Sequence, residues 1–233
     1  MRPEPLGGWG PWLRQVFDRL HAHFGPRHWW PAETAFEVVV GAILTQNVAW
    51  VNVEKAIANL KVAGLLDPAA MAAAPEAAIA ELIRPSGYYK SKARKLKAFL
   101  AHVQQHYDGD LARMWQRPLA ELGPEVYGLW GVGPETGDCI LCYAAGKPVM
   151  AMDSYTRRVF SRLGAVSEDV TYHEMQALFH AHLPIDTQLF NEYHALIDGL
   201  GNQICLKRSP RCDQCPLADI CRYHGVGEEG APA

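Results

Sequence analysis

The sequence predicts an all-α protein, and three observations carry that prediction. Apolar residues recur at intervals of three and four over nearly the whole length. No convincing stretch alternates with period two, and no segment repeats another. Glycine and proline fall where the apolar stripes stop, as helix ends require. The 233 residues hold about ten such helices, enough for one sizeable core or two small domains.

In chain order, Leu13, Val16, Phe17, Leu20 and Phe24 form the first stripe, and Phe36, Val39, Val40, Ile43 and Leu44 the second. Val53, Ala56, Ile57 and Leu60 follow, then Ile79, Leu82 and Ile83, stopped by Pro85 and Gly87. Ala93, Leu96, Phe99, Leu100 and Val103 mark a long helix whose other face carries Lys90, Lys92, Arg94, Lys95 and Lys97. After a loop over 107–110, short helices lead into "LWGVGPETGD" and "ETGDCILCYAAG". "SYTRRVFSRL" is followed by Gly164, where a helix cap belongs. "HEMQALFHAHLP" and "DTQLFNEYHALIDGLG" are two more amphipathic helices, ended by Pro184 and Gly201. No long linker interrupts this series, so the chain is expected to cross between two helical lobes more than once. The tail after Gly225 is expected to be disordered.

Composition narrows the function classes. Hydrophobic residues make up 49% and charged residues 20%, ordinary globular values. No run approaches the ~18 apolar residues of a membrane span. "MRPEPLGGWGPW" has no apolar stretch before a cleavage site, so no signal peptide is expected. A reducing cytoplasmic location is expected, in which clustered cysteines are expected to bind metal rather than pair as disulfides. A net charge of −3 does not advertise a nucleic-acid binder, but charge distribution matters more than its sum. The Lys90–Lys97 cluster, Arg157 with Arg158 and Arg162, and Lys207 with Arg208 and Arg211 keep a phosphate-binding surface in play.

Two stretches carry chemistry. "CLKRSPRCDQCPLADIC" places Cys205, Cys212, Cys215 and Cys221 at gaps of six, two and five. Four thiolates suit zinc or an iron–sulfur cluster. Structural zinc favours two short knuckles, and only Cys212 and Cys215 form one, so the wider spacing suits the larger object, a 4Fe–4S cube. Cys139 and Cys142, mid-helix and three apart, read as small core hydrophobes. In "LWGVGPETGD", Gly131 and Gly133 flank Val132 and Pro134 opens a helix. Such a turn leaves backbone amides uncovered for a phosphate, and it also serves as a plain helix connection.

These features together resemble the helix–hairpin–helix DNA glycosylases, over roughly residues 30–222. "LWGVGPETGD" resembles the hairpin, and "MDSYTRRVF" supplies Asp153 where that family has its aspartate. The cysteine stretch resembles the 4Fe–4S loop of endonuclease III. "FEVVVGAILTQN" resembles the barrel helix ending in a DNA-filling glutamine, here Gln46, with Asn47 after it. "SGYYKSKARKLK" resembles the start of the family's basic helix, with Lys92. The resemblance implies a six-helix barrel over 33–147 with the helix–hairpin–helix at about 124–146. It implies an iron–sulfur domain from 1–32 and 148–233, with the cluster loop at 205–221, and a DNA-binding cleft between the two. Gly131, Val132, Gly133, Gln46, Asn47, Lys92, Lys207 and Arg208 are the implied DNA contacts. The implied partner is double-stranded DNA with a damaged base, bound by a monomer with no membrane attachment.

The sequence also departs from the family. Bifunctional members carry a lysine two positions after the second hairpin glycine, whose amine attacks the sugar. Here that position is Glu135, and a carboxylate forms no imine. Strand cleavage is therefore expected to be weak or absent, leaving hydrolysis of the glycosidic bond supported by Asp153. Asp153 also precedes a helix and suits an N-cap, and one residue can fill both roles. Trp30, Pro31 and Trp50 resemble the base-stacking motif of the 3-methyladenine DNA glycosylase III branch, implying a cationic alkylated purine held by indole faces. The iron–sulfur loop argues instead for an oxidised pyrimidine, as in endonuclease III. A non-catalytic sensor of distorted duplex is a further reading, fed by the missing lysine. The lobe built from both ends is expected to have too small a core of its own and to need the cluster as a staple.

Overall fold

The structure is a computed structural model describing residues 4, 5 and 7–223. The tail after Gly225 lies outside the described residues. Among the described residues every regular element is helical. The chain divides into two compact units, one of Met1–Trp29 with Pro148–Ala233 and one of Trp30–Lys147. The first unit opens with α1 (Trp9–Phe24), and the chain then builds the second unit before returning to it.

The second unit holds α2 (Ala35–Leu44), α3 (Trp50–Val62), α4 (Pro68–Ala73), α5 (Glu76–Leu82), α6 (Tyr89–Tyr107), α7 (Leu111–Trp115), α8 (Leu119–Tyr127) and α9 (Pro134–Cys139). Its axis is α2. The apolar stripe predicted one buried face, but every residue from Phe36 to Leu44 is buried. The reason is that α3, α6 and α9 pack around it, leaving no side for solvent. A carboxylate survives inside this helix because it is fully engaged. Glu37 is 4% exposed, meets Lys61 Nζ at 3.0 Å and accepts the Glu33 amide at 3.1 Å. Thr34 caps the helix by accepting the Glu37 amide at 3.1 Å.

The first unit resumes with α10 (Ser154–Arg162), α11 (Tyr172–His182) and α12 (Thr187–Gln203). The expectation of a small core is wrong here. Trp12, Phe160, Phe179, Phe190 and Tyr193 are buried together with a broad aliphatic set from α1, α10, α11 and α12. Their rings meet edge to face, Phe160 on Phe179 at 4.9 Å and Phe179 on Tyr193 at 5.4 Å between centroids. The Tyr193 hydroxyl donates to Leu13 O at 2.8 Å, tying α12 to α1. Beyond α12 the described residues form two 3₁₀ turns, Cys212–Gln214 and Ala218–Ile220. No described helix is long and apolar enough to cross a membrane.

Candidate functional site

The glycine hairpin joins α8 to α9, and its two glycines are there for different reasons. Gly131 has φ +78°, and a Cβ there would lie 2.6 Å from Lys95 Cε, so both backbone and packing exclude a side chain. Gly133 has φ −89°, and a Cβ there would meet nothing within 4 Å. Nothing inside the protein requires glycine at 133; its bareness leaves the backbone open to a close approach from outside. Between them Val132 is buried and anchors the turn. Pro134 sits in the first turn of α9, followed by exposed Glu135, an acidic residue where the helix dipole favours one. Gln46, two residues beyond α2, braces the hairpin: its Nε2 donates to Thr136 Oγ1 at 2.8 Å and Gly131 O at 3.2 Å, while its Oε1 accepts from Lys95. Asn47 beside it is exposed in the left-handed region, φ +56°.

Past Cys139 the helix widens into a π turn, Ile140–Ala144. The extra residue per turn re-aims the side chains that follow, a device common at functional sites. Here it places Tyr143 against Trp30, 5.5 Å between centroids at 61°. Trp30 also meets Trp50 at 5.3 Å and 79°. Trp30 lies directly on α2 because residue 41 is glycine, where a Cβ would come within 2.9 Å of the indole nitrogen. The Trp50 indole is steadied by donating to Glu54 Oε1 at 2.9 Å. Trp30, Trp50 and Tyr143 are all partly exposed, and Pro31 beside them is exposed. The group can offer aromatic surface to a planar ring.

Asp153 begins α10. Its Oδ1 accepts the Thr156 amide at 2.6 Å and the Thr156 hydroxyl at 2.8 Å. Its Oδ2 lies 3.7 Å from His194 Nε2, and its side chain is 12% exposed. Burial alone would push this carboxyl up, but contact with His194, followed by the two Thr156 bonds, holds it below the usual carboxylate range. One oxygen is thus spent on the cap while the residue stays an anion, which is the state an oxocarbenium-stabilising group needs.

The four cysteines line one cavity with Ile204, Pro210 and Ala218. Among the described residues no three His, Cys, Asp or Glu side chains are grouped closely enough to hold a single metal ion. Four thiols lining one cavity are a donor set that an iron–sulfur cluster can use. Burial pushes the Cys215 thiol up to about 11 and Cys212 upward as well, so a bound metal must supply the drive to thiolate. The loop is held to α10 by two arginines. Arg158 donates to Cys205 O and Gly201 O, each at 2.8 Å, and Arg162 to Leu206 O at 2.8 Å and Cys205 Sγ at 3.2 Å.

Comparison with known proteins accounts for both the hairpin and the cysteines. Residues 40–184 match the HhH-GPD superfamily of base excision DNA repair proteins, and residues 205–221 match the iron–sulfur binding domain of endonuclease III. The chain belongs to the helix–hairpin–helix family of DNA glycosylases. MJ1434 of Methanocaldococcus jannaschii, assigned as a DNA repair glycosylase, is 41% identical over 211 residues, 90% of this chain and 95% of its own. Helicobacter pylori 3-methyladenine DNA glycosylase (MagIII) bound to 1,N6-ethenoadenine superposes with a TM-score of 0.69 at 28% identity, covering 84% of this chain and 97% of that one. A trapped endonuclease III–DNA covalent intermediate superposes at 0.79 and 25% identity, covering 93% and 97%. The glycosylase therefore carries a 4Fe–4S cluster in its 205–221 domain. Cys205, Cys212, Cys215 and Cys221 are the thiolates that would hold it.

Within this glycosylase the basic groups need correction. Lys92, expected to face DNA, is 2% exposed and donates to Leu44 O at 2.8 Å and Ser86 O at 2.6 Å. It caps the carbonyl end of α2, and burial, then the Lys95 charge, lowers its amine to about 8. Lys97 reaches Ala74 O at 2.9 Å, and Arg158 and Arg162 clamp the cluster loop. Helix carbonyl ends attract cations as phosphates do, and here they claim much of the charge run. Lys207 and Arg208 remain exposed. Three site residues escaped the sequence reading. Tyr143 depends on a π turn with no sequence signature, His194 reads as one more polar residue on an amphipathic helix, and Gly41 as a tolerated helix glycine. The glycine was the one available signal, since glycine in a helix interior costs about 1 kcal/mol and implies a packing reason.

Proposed function

We propose that this glycosylase is monofunctional and releases an alkylated purine such as 3-methyladenine by hydrolysis. The aromatic group of Trp30, Trp50 and Tyr143 carries the reading. A methylated adenine is cationic, and each indole face attracts a cation by ~0.5–2 kcal/mol. Such a base also leaves as a neutral molecule, so the protein needs little acid catalysis at the leaving group. What remains is to stabilise the positive sugar, and a buried anion such as Asp153 suits that task. Glu135 supports the monofunctional half, since it stands where a bifunctional relative has its amine. The likeness to a 3-methyladenine glycosylase supports the substrate class.

The iron–sulfur domain favours a second reading, release of an oxidised pyrimidine as in endonuclease III. Cys205, Cys212, Cys215 and Cys221 would hold the cluster, which would give the 205–221 segment structural support. The test is to incubate the protein with methylated duplex and separately with duplex carrying thymine glycol, and to identify the free bases. The expected result is 3-methyladenine release with strands broken only after alkali. Release of thymine glycol alone, or borohydride trapping of the protein on abasic DNA, contradicts the proposal.

A further inference from the structure

Asp153 sits beside an imidazole, and a second carboxyl stands one turn along the helix that carries that imidazole. His194, in the middle of α12, is 7% exposed, and its Nε2 lies 3.7 Å from Asp153 Oδ2. Asp198 stands one turn further along the same face of α12. Its Oδ2 accepts from Asn202 Nδ2 at 3.3 Å, and Asn202 Oδ1 accepts from the Tyr155 hydroxyl of α10 at 2.8 Å. Other charged groups at this face are Arg27, whose guanidinium lies alongside Gly199, Glu192, which accepts the Arg27 amide at 2.6 Å, and Arg158 of α10, which lies over the Tyr155 ring at 4.9 Å and donates to Gly201 O at 2.8 Å. The two carboxyls are pushed apart. Asp153 is held low, as described, whereas burial and then the Asp153 charge push Asp198 up against the pull of His194, Asn202 and Arg27. Capping α10 needs only Oδ1 of Asp153. A buried imidazole and a second carboxylate behind Oδ2 exceed what the cap requires, and apolar residues would fill the space at less desolvation.

We infer that His194 is a positioning residue for Asp153: it carries the proton shared by the Asp153–His194–Asp198 array and thereby keeps Asp153 ionised at Oδ2. Asp198 fixes that proton on the imidazole. The inference rests on the reading of Asp153 as the residue that acts on the sugar.

The experiment compares the unmodified protein with His194→Gln, Asp198→Asn and Asp153→Asn. Single-turnover base release is followed from about pH 5 to pH 9, on whichever lesion duplex the unmodified protein cleaves, and the His194 ring is titrated by NMR. His194→Gln is expected to lower the rate about tenfold or more and to move the acid limb to higher pH. Its affinity for a duplex with an abasic analogue and its visible absorbance should stay as they are. In Asp153→Asn, where His194 is intact, the ring should lose its proton at a lower pH than in the unmodified protein. A His194→Gln rate and acid limb equal to the unmodified protein's, or a ring titration indifferent to Asp153→Asn, overturns the inference. If His194→Gln fails to fold, the ring titration decides alone. Undiminished base release by Asp153→Asn sinks the reading of Asp153 itself, whereas an inactive Asp153→Asn beside a fully active His194→Gln sinks only the role of His194.

Discussion

Gly131 and Gly133 look alike in the sequence and differ in what they must satisfy. At 131 the left-handed backbone and the Lys95 stem both reject a Cβ. Gly131→Ala should therefore destabilise the protein by about 1–3 kcal/mol, whatever DNA does. At 133 the backbone is extended and the space around it open, so Gly133→Ala should leave the melting temperature unchanged. If the open space is where a DNA backbone approaches, the same substitution weakens binding to a duplex with an abasic analogue by about tenfold, or 1.4 kcal/mol. Calorimetry and a binding titration on both variants separate the two roles. Equal melting losses at 131 and 133 would contradict the assignment. The sequence flagged both glycines but had no means of telling them apart, because the Lys95 stem that crowds 131 comes from a helix some 36 positions away.

Among the elements, legibility followed locality. Helices were readable because their periodicity lies within a few residues, and the cysteine set because all four thiols sit in one short segment. The π turn was not, since one added residue in "DCILCYAAG" leaves the apolar pattern intact while rotating Tyr143 toward Trp30. Lys92 was misread for a related reason. A run of basic residues along α6 suggests a solvated face, yet this one extends inward to two carbonyls that the sequence places far away and near by, Leu44 and Ser86. Its removal tests the capping role. Lys92→Met should cost about 2–4 kcal/mol by leaving both carbonyls without their donor. The pH dependence follows from its lowered amine. The folded-state value of about 8 lies below the ordinary 10.5, so between these the folded protein binds fewer protons than the unfolded chain. Stability from Lys92 therefore rises with pH across that window. The neutral amine still has two N–H donors for two carbonyls. Denaturant unfolding of both proteins should show their difference growing from about pH 8 to about pH 10.5. A difference that shrinks would mean the charge, not the capping geometry, holds Lys92 in place.

For the whole molecule, the question is how far the cluster's stability reaches. A lobe lacking a core would unfold with its metal, as small metallo-domains do. This one has a core: Trp12, Phe160, Phe179, Phe190 and Tyr193 pack among α1, α10, α11 and α12, and the cysteine loop adds only Leu217 to it, with Cys205, Cys215, Ile220 and Cys221 packed at its edge. Within 205–221 only Leu217 is buried, and the segment is otherwise held by the thiols, the Arg158 and Arg162 clamp, and surface contacts such as the Arg19–Asp219 ion pair. Removing iron with a chelator and an oxidant should thus release the loop and spare the helices. The visible absorbance should vanish while the far-ultraviolet dichroism and the near-ultraviolet signal of the packed aromatics persist. Limited proteolysis should then cut between 205 and 221, next to Lys207, Arg208 and Arg211, and nowhere in α10 to α12. If Lys207 and Arg208 meet phosphate, DNA affinity should fall and its salt dependence flatten, because they would no longer be held in one place to displace counterions. Loss of the near-ultraviolet signal together with the iron would show that the aromatic core depends on the cluster after all. The loop would then be a structural keystone for the whole unit rather than a stapled surface that presents charge.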